Sequence, residues 1–446
     1  METKFADTDT LPVNAHDICN YAAKYGFASY QIQTIMKLEG RLNYNTLVRS
    51  VMLSVEQEPV FICRFVENDP PFWKRIDNIN EDMLCSYEET ENTNYSIRLF
   101  LQSPMELDKD PGLKIRLIRS KEYDTLCLKI NHMCTDGAGV KEYIQLLSSI
   151  YSTLEKNHEV FIPIQRVAGR KDQDILFREL GINNPETLLD PEKITPKTMW
   201  VFPLWHGGTN VTRYAVKRLP YGQLDILSRY GKERGATIND LILTAYYRAM
   251  FEISNPPYNV PMDISTTVDL RRYLPGHKTE AIRNFSAGFI TRIPRIKSEA
   301  FGGTLSRVKL EVEKIKKEYP GLHNAMGGEW IEKMNFFHIN AYFRDSYKIN
   351  EFLSMSFPVL FGNLCLPGLS NLGYISKALI KFGETTVTDA YVLPPAVRAP
   401  GFLLLVSSYN GVMTLSTGYY KNAIRRKDVE RVLNGVEKEL TALGRS

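Results

Sequence analysis

The chain has 446 residues, of which 43% are hydrophobic and 24% are charged, and its formal net charge is +4. This composition is typical of a soluble globular protein, and the length favours two lobes over a single core. The weak net charge gives no electrostatic reason to expect nucleic-acid binding. The polar first residues predict no signal peptide, and no apolar run reaches membrane-spanning length, so we expect a cytoplasmic protein.

The six cysteines are scattered along the chain without a CxxC pair or a Cys/His spacing typical of metal ligands. This distribution predicts reduced thiols and no structural metal. A phosphate-binding glycine loop and a Gly-x-Ser-x-Gly nucleophile elbow are also absent from the sequence, which argues against a nucleotide hydrolase and an α/β-hydrolase.

The first part of the chain predicts an α/β lobe that begins near Phe27 and reaches Tyr151. A helix is predicted over residues 42–55, where Leu47 and Val51 are available for packing. Alternating or β-branched segments predict strands at residues 64–67, 96–101, 113–118 and 125–132.

The most informative local pattern is Asn131-His132-Met133-Cys134-Thr135-Asp136-Gly137, which lies between a strand pattern and a helix pattern. Residues 125–132 alternate, whereas apolar residues from Val140 onward repeat at helical spacing. His132 shares the parity of the apolar face, so its imidazole should point inward, where it could act as a general base. Asp136 is placed to cap the helix, and Gly137 permits a tight turn.

Two interpretations of these residues stay open on the local pattern alone. The structural one is a core histidine followed by an ordinary capping aspartate, and the functional one is a catalytic histidine presented at the end of a strand. Cys134 could in principle be a nucleophile, but its spacing from the histidine does not place sulfur against imidazole, and we interpret it as a small wall residue.

The rest of the chain predicts a connection and a second lobe. Residues 1–180 are assigned to an N-terminal lobe that ends in an inter-lobe connection at about 156–197, and residues 198–446 to a C-terminal lobe. The polar connection contains one short predicted helix around 174–180. In the second lobe, strands are predicted at 214–218 and 261–269, a hairpin around Asn410-Gly411, and helices at 222–234, 237–251, 304–318 and 428–443.

His-x-x-x-Asp-Gly at a strand-to-helix junction resembles the signature of the chloramphenicol-acetyltransferase-like acyltransferases, which include condensation domains and alcohol acetyltransferases. Three further segments are similar to parts of that superfamily, in the same order along the chain. They are the central-strand segment that ends in Asp269-Leu270-Arg271-Arg272, the segment Asn284 to Phe289, and the segment Leu369-Ser370-Asn371-Leu372-Gly373. The similarity covers nearly the whole chain.

The resemblance implies an α/β sandwich fold of two lobes with an active-site tunnel at their interface. His132 would be the catalytic base, and Asp136, Gly137 and Arg271 would support the site. In the resembling family the carboxylate at the Asp136 position pairs with an arginine of the central strand, here Arg271 or, as second choice, Arg272, whereas the alternative is that Asp136 only caps the helix. Tunnel-lining residues would be Asn284, Ser286, Ser370 and Asn371, and at least one of the first two is expected to come within side-chain reach of the His132 imidazole.

The implied reaction is transfer of an acyl group from acyl-CoA or an acyl carrier protein to a small alcohol or amine, without a metal or redox cofactor. Asn131 replaces the first histidine of the His-His-x-x-x-Asp-Gly found in many condensation domains, and the plant Asp-Phe-Gly-Trp-Gly sequence is absent. The closest resemblance is to free-standing condensation-like proteins related to alcohol acetyltransferases. The alternative is a non-catalytic condensation-like module that docks an acyl carrier protein.

Overall fold

The protein is described by a computed structural model that covers residues 9–25, 28–106, 109–157, 161–170, 173–203, 209–356, 364–398 and 400–444. Phe27, where the first lobe was expected to begin, lies outside these ranges. Within them, no helix is both long and apolar enough to cross a lipid bilayer.

The strands and helices alternate along the chain, as expected for a mixed α/β protein. The strands are β1 (Thr10–Pro12), β2 (Gln31–Glu39), β3 (Cys63–Val66), β4 (Phe72–Arg75), β5 (Cys85–Glu89), β6 (Leu113–Arg119), β7 (Asp124–Asn131), β8 (Trp200–Val201), β9 (Thr212–Arg218), β10 (Pro261–Asp269), β11 (Ser286–Pro294), β12 (Leu364–Tyr374), β13 (Lys381–Phe382), β14 (Thr385–Leu393), β15 (Ala396–Val397), β16 (Gly401–Tyr409) and β17 (Val412–Tyr420). The helices are α1 (Ala15–Tyr21), α2 (Tyr44–Gln57), α3 (Glu81–Leu84), α4 (Thr93–Gln102), α5 (Gly137–Asn157), α6 (Asp174–Glu179), α7 (Pro191–Ile194), α8 (Gln223–Glu233), α9 (Ile238–Ser254), α10 (Phe301–Lys316), α11 (Leu322–Lys333), α12 (Phe336–Ser356) and α13 (Arg426–Ala442).

Two large sheets organise these elements. The first has the strand order β13-β14-β2-β7-β6-β5, and the second has the order β11-β10-β12-β16-β17-β15, with β8 paired to β12 and β9 to β17. A small sheet of order β1-β4-β3 lies beside them. The predicted α/β class with two sheet-based layers is therefore confirmed.

The apolar helix faces cover these sheets and form separate cores. Residues of α2 and α5, including Leu47, Val51 and Tyr143, are buried together with the β2, β6 and β7 side chains. Helices α9, α10 and α13 bury their apolar stripes against the second sheet. Burial of these stripes supplies the hydrophobic stabilisation that holds each helix on its sheet.

Strands β13 and β14 belong to the second half of the chain but pair within the first sheet. Residues of β14 pair antiparallel with β2, from Thr386 opposite Glu39 to Leu393 opposite Gln33. Strands β15 and β16 then return the chain to the second sheet. The division of the chain between 180 and 198 stays a prediction, and this crossing strand shows that the first sheet contains strands from both halves.

The prediction of a strand at residues 96–101 is wrong, because these residues lie in α4. The side chain of Asn92 accepts a hydrogen bond from the Tyr95 amide and starts the helix. Ser96, Phe100 and Leu101 are buried, whereas Leu99 is 44% exposed. Burial at positions i, i+4 and i+5 follows the helical period, and the alternation of Ile97, Leu99 and Leu101 was misleading.

Candidate active site

The candidate site begins where β7 leaves the first sheet. The His132 amide donates to the carbonyl of Tyr30, and the Cys134 amide donates to the carbonyl of Asn131, so residues 131–134 form a tight turn. The Asn131 side chain accepts from the Met133 amide at 2.9 Å. Asn131 therefore stabilises the turn that presents His132 at the end of the strand.

His132 lines a cavity of about 150 Å³ that lies between the two sheets. The first sheet contributes Ile32, and the start of α5 contributes Asp136 and Gly137. The second sheet contributes polar residues of β10, β11 and β12, together with Leu403 and Leu405 of β16. His132 therefore lies between the two large sheets.

Burial lowers the pKa of His132 below its ordinary value, although its own backbone, the Asp136 carboxylate and the Asn284 side chain act in the opposite direction. A lowered pKa leaves the imidazole neutral near pH 7, and a neutral imidazole can accept a proton. Nδ1 of His132 is buried without a hydrogen-bond partner among the described residues.

Asp136 caps α5 and also forms an ion pair with Arg271, so it has both of the roles that were considered for it. One carboxylate oxygen accepts from the Gly139 amide at 2.9 Å, and the other accepts from the Phe285 amide at 2.6 Å. Nη1 of Arg271 lies 3.0 Å from Asp136. Burial alone would raise the pKa of the Asp136 carboxyl, but the Arg271 charge and the two amide hydrogen bonds hold it below its ordinary value.

Arg271 is the partner from the opposite half of the chain, and Arg272 is exposed. The Arg271 side chain is buried, contacts Asp269 at 3.0 Å and donates to the carbonyl of Arg283 at 2.7 Å. It thereby connects the end of β10, the start of α5 and the segment that precedes β11.

The Leu372 side chain lies so close to Gly137 that a Cβ at this position would meet it, whereas the backbone conformation of Gly137 does not require glycine. A Cβ added at this position would lie 2.4 Å from Cδ2 of Leu372, on the segment that follows Ser370 and Asn371. Gly139 is still more restricted, since its Cβ would lie 1.8 Å from Oγ1 of Thr135. The second sheet therefore packs directly on the first turn of α5.

Of the predicted tunnel residues, Asn284 binds the backbone of the His132 turn, whereas Ser286, Ser370 and Asn371 line the cavity. Asn284 is buried, and its Nδ2 donates to the carbonyls of His132 and Met133, both at 2.9 Å. It therefore holds the backbone of the His132 turn. Ser286 lines the cavity with His132, and its reach to the imidazole stays a prediction.

Ser370 and Asn371 also line the cavity, and their polar groups have different partners. Thr267 donates to the Ser370 hydroxyl at 3.1 Å, which leaves the Ser370 proton free to be donated. The Asn371 amide donates to Asn239 at 3.2 Å, and its oxygen accepts from the Gly373 amide at 3.0 Å. Asn371 thus shapes the chain that approaches α5.

Three residues near the site were missed by the sequence analysis. Lys141 lines the cavity, and its ammonium group donates to the carbonyl of Leu372 at 2.6 Å. Asp17 accepts from Asn284 at 3.3 Å and from Arg170 at 3.3 Å, and both residues of that ion pair are buried. No local signal identifies Asp17 or Arg170, because the two residues of this ion pair lie 153 positions apart and Asn284 lies 267 positions from Asp17.

Cys134 is an internal wall residue, as predicted. It is fully buried, its thiol donates to the carbonyl of Val60 at 3.6 Å, and burial raises its pKa. A thiol of raised pKa is protonated at neutral pH and is a poor nucleophile. This environment argues against Cys134 as a nucleophile.

Comparison with protein families and curated sequences finds similarity to condensation domains in the first part of the chain. The condensation-domain family model matches residues 24–167. Surfactin synthase subunit 1 of Bacillus subtilis is 24% identical over 260 residues, which are 55% of this chain. The chain spans 7% of the length of that curated relative.

Solved structures match over nearly the full length. The trichothecene 15-O-acetyltransferase of Fusarium sporotrichioides has a TM-score of 0.71 at 13% identity, covering 99% of this chain and 97% of its own. The first condensation domain of the calcium-dependent antibiotic synthetase, solved with a substrate analogue, has a TM-score of 0.69 at 13% identity, covering 98% and 97%. Polyketide synthase associated protein 5 of Mycobacterium tuberculosis has a TM-score of 0.65 at 14% identity, covering 97% and 100%. The resemblance to the chloramphenicol-acetyltransferase-like superfamily is confirmed at the level of the fold.

Proposed function

We propose that this protein, which has the two-lobed fold of condensation domains and chloramphenicol-acetyltransferase-like enzymes, is an acyltransferase with His132 as its general base. The donor is an acyl thioester of coenzyme A or of a carrier protein, and the acceptor is a small alcohol or, as a second choice, an amine. The observation that carries the proposal is the position of His132. It lines a cavity between the sheets, and its pKa is lowered by burial.

The proposed step begins with proton transfer from the acceptor hydroxyl to the neutral His132 imidazole. The oxygen attacks the thioester carbonyl, a C–O bond forms, and the resulting oxyanion collapses with cleavage of the C–S bond. The imidazolium returns its proton to the departing thiolate, so that no proton or electron is left over. Placing both reactants in one cavity supplies a further large part of the rate increase.

The oxyanion needs hydrogen-bond donors that are in place before the reaction. Asn284 does not serve this purpose in our proposal, because its amide protons are used by the carbonyls of His132 and Met133. Ser370 and Ser286 remain, and both line the cavity. We expect Ser370→Ala or Ser286→Ala to lower kcat by about a hundred-fold or more if its hydroxyl is that donor. Equal rates in both variants and the wild type would leave this role to backbone amides.

Asp136, Gly137 and Arg271 support the site without carrying protons. Their contacts join the first turn of α5 to β10 and to the segment before β11. Asn284 adds a clamp on the His132 turn from the same segment. The geometry of the imidazole therefore depends on both halves of the chain.

The function is tested by thioester release from acetyl-CoA and from longer acyl-CoAs, each mixed with a panel of short alcohols and amines. The same donors loaded on an acyl carrier protein form a second arm. Acceptor-dependent release with formation of the ester or amide supports the proposal. Binding of the carrier protein without release from any donor would instead favour the non-catalytic docking module.

A further inference from the structure

A second cavity, larger than the one at His132, lies on the other face of the first sheet. It encloses about 540 Å³, a volume within the range of roughly 300–1,000 Å³ that small-molecule sites occupy. Helix α4 and strand β14 form one side, and β9, β17 and the start of α13 form the other. Residues of both halves of the chain therefore enclose it.

The charged side chains that line this cavity are all cationic. Five cationic side chains line it, and no Asp or Glu is among the described residues that do so. The whole chain carries 55 Lys and Arg against 51 Asp and Glu, so this excess is local. The five are Arg98, Arg213, Lys421, Arg425 and Arg426.

Among the described residues, three of these cations have no carboxylate partner. Arg425 lies 2.6 Å from Asp428, and Arg426 lies 2.7 Å from Glu430. Within the described ranges, Arg98, Arg213 and Lys421 form no ion pair with a carboxylate. Unpaired cations that converge on one concave surface create a field that attracts an anion with more than one negative charge.

The start of α13 adds to this field. Arg425 is the N-cap residue, and its side chain makes no capping hydrogen bond. Cations are unfavourable at a helix N-terminus, where acidic side chains or bound anions are stabilising. In this stretch Asp428 pairs with Arg425 and Glu430 pairs with Arg426, so Lys427 leaves the basic run with a positive excess beside the cavity.

The remaining lining is aromatic and aliphatic. Tyr214, Tyr391 and Tyr419 contribute phenol rings, while Leu101 and Leu393 contribute apolar contacts. Arginine guanidinium groups match phosphate oxygens in a bidentate manner, and aromatic rings stack on planar ligands. The combination favours a ligand that has both several phosphate charges and a planar ring.

We propose that this cavity binds a nucleoside polyphosphate. The ligand could be a free nucleotide or the nucleotide end of a coenzyme A thioester, since the two share phosphate and ring chemistry. The site is distinct from the His132 cavity but adjacent to it along the chain. Leu393 lines the nucleotide cavity, and the following Pro394 and Pro395 line the His132 cavity.

The proposal is tested by calorimetric titration of the full chain with ADP, ATP, coenzyme A and pantetheine. We expect saturable binding of the three nucleotides and none of pantetheine. Arg213→Gln and Lys421→Gln should each weaken ADP binding on the order of fivefold, because each removes one cation in a solvated site. The controls Arg49→Gln and Lys316→Gln change exposed cations elsewhere and should bind as the wild type does.

The outcome does not depend on the proposed acyl transfer, because His132→Ala should bind ADP as tightly as the wild type. Tighter binding of coenzyme A than of ADP and ATP would identify the thioester as the source of the nucleotide, and equal binding would identify a free nucleotide. No binding of any nucleotide would overturn the proposal. Equal loss in the cavity variants and in the controls would also overturn it, since it would indicate diffuse charge attraction.

Discussion

Replacement of Asp136 by asparagine gives a quantitative test of how the site is held together. Asn keeps an oxygen that can accept from the Gly139 amide, so most of the capping interaction is retained. It loses the charge that faces Arg271 at 3.0 Å, in a pair whose side chains are both 3% exposed. Its amide protons would also face either Arg271 or the Phe285 amide, which are donors themselves.

Breaking a buried ion pair costs roughly 3–5 kcal/mol. We expect the lower end, about 3 kcal/mol, because Arg271 keeps its contact with the half-exposed Asp269. Asp428→Asn is the matched control. That carboxylate is also buried in the first turn of a helix, but its partner Arg425 is 57% exposed, so the expected loss is below about 1 kcal/mol.

Denaturant unfolding of the two variants measures both losses. A double-mutant cycle with Arg271→Met then separates the pair from the cap, with an expected coupling free energy of about 1.5–3 kcal/mol. A loss below about 1 kcal/mol for Asp136→Asn, with no coupling, would refute the reasoning and leave Asp136 as a helix cap alone.

Two further predictions concern proton transfer and packing. Burial lowers the pKa of His132. We therefore expect kcat/KM for acyl transfer to stay level from pH 8 to 7 and to fall only below pH 6.5, as the base becomes protonated. A pH profile of kcat/KM with its midpoint above pH 6.5 would contradict this. Gly139→Ala should lower stability by about 1–3 kcal/mol, since its Cβ would lie 1.8 Å from Oγ1 of Thr135. The control Gly302→Ala, whose Cβ meets nothing within 4 Å, should be neutral or slightly stabilising in thermal unfolding.

The sequence was most informative where local pattern and packing agree. The alternation before His132 and the helical spacing after it predicted β7 and α5, and both faces are buried as expected. The Asp136–Arg271 pair followed from the family resemblance and is present in the structure. The hairpin at Asn410-Gly411 was also predicted, because Asn-Gly adopts the positive φ values that such turns require.

Features set by distant pairing could not be read in this way. The pairing of β14 with β2 joins residues about 350 positions apart, and nothing in either segment specifies the other. The same holds for Asn284, whose Nδ2 donates to the carbonyls of His132 and Met133 from about 150 positions away in the sequence. The error at α4 arose because a six-residue window satisfied both periods, and the Asn92 cap decided between them.

The most direct test of the central claim is a single-turnover measurement of acyl transfer by His132→Ala. It should use the donor and acceptor that the wild type prefers, with the circular dichroism spectrum and melting temperature matched to the wild type. His338→Ala, which changes an exposed histidine on α12, is the control and should react at the wild-type rate. We expect a rate about a hundred- to ten-thousand-fold lower for His132→Ala. A folded His132→Ala protein that transfers the acyl group at the wild-type rate would contradict it.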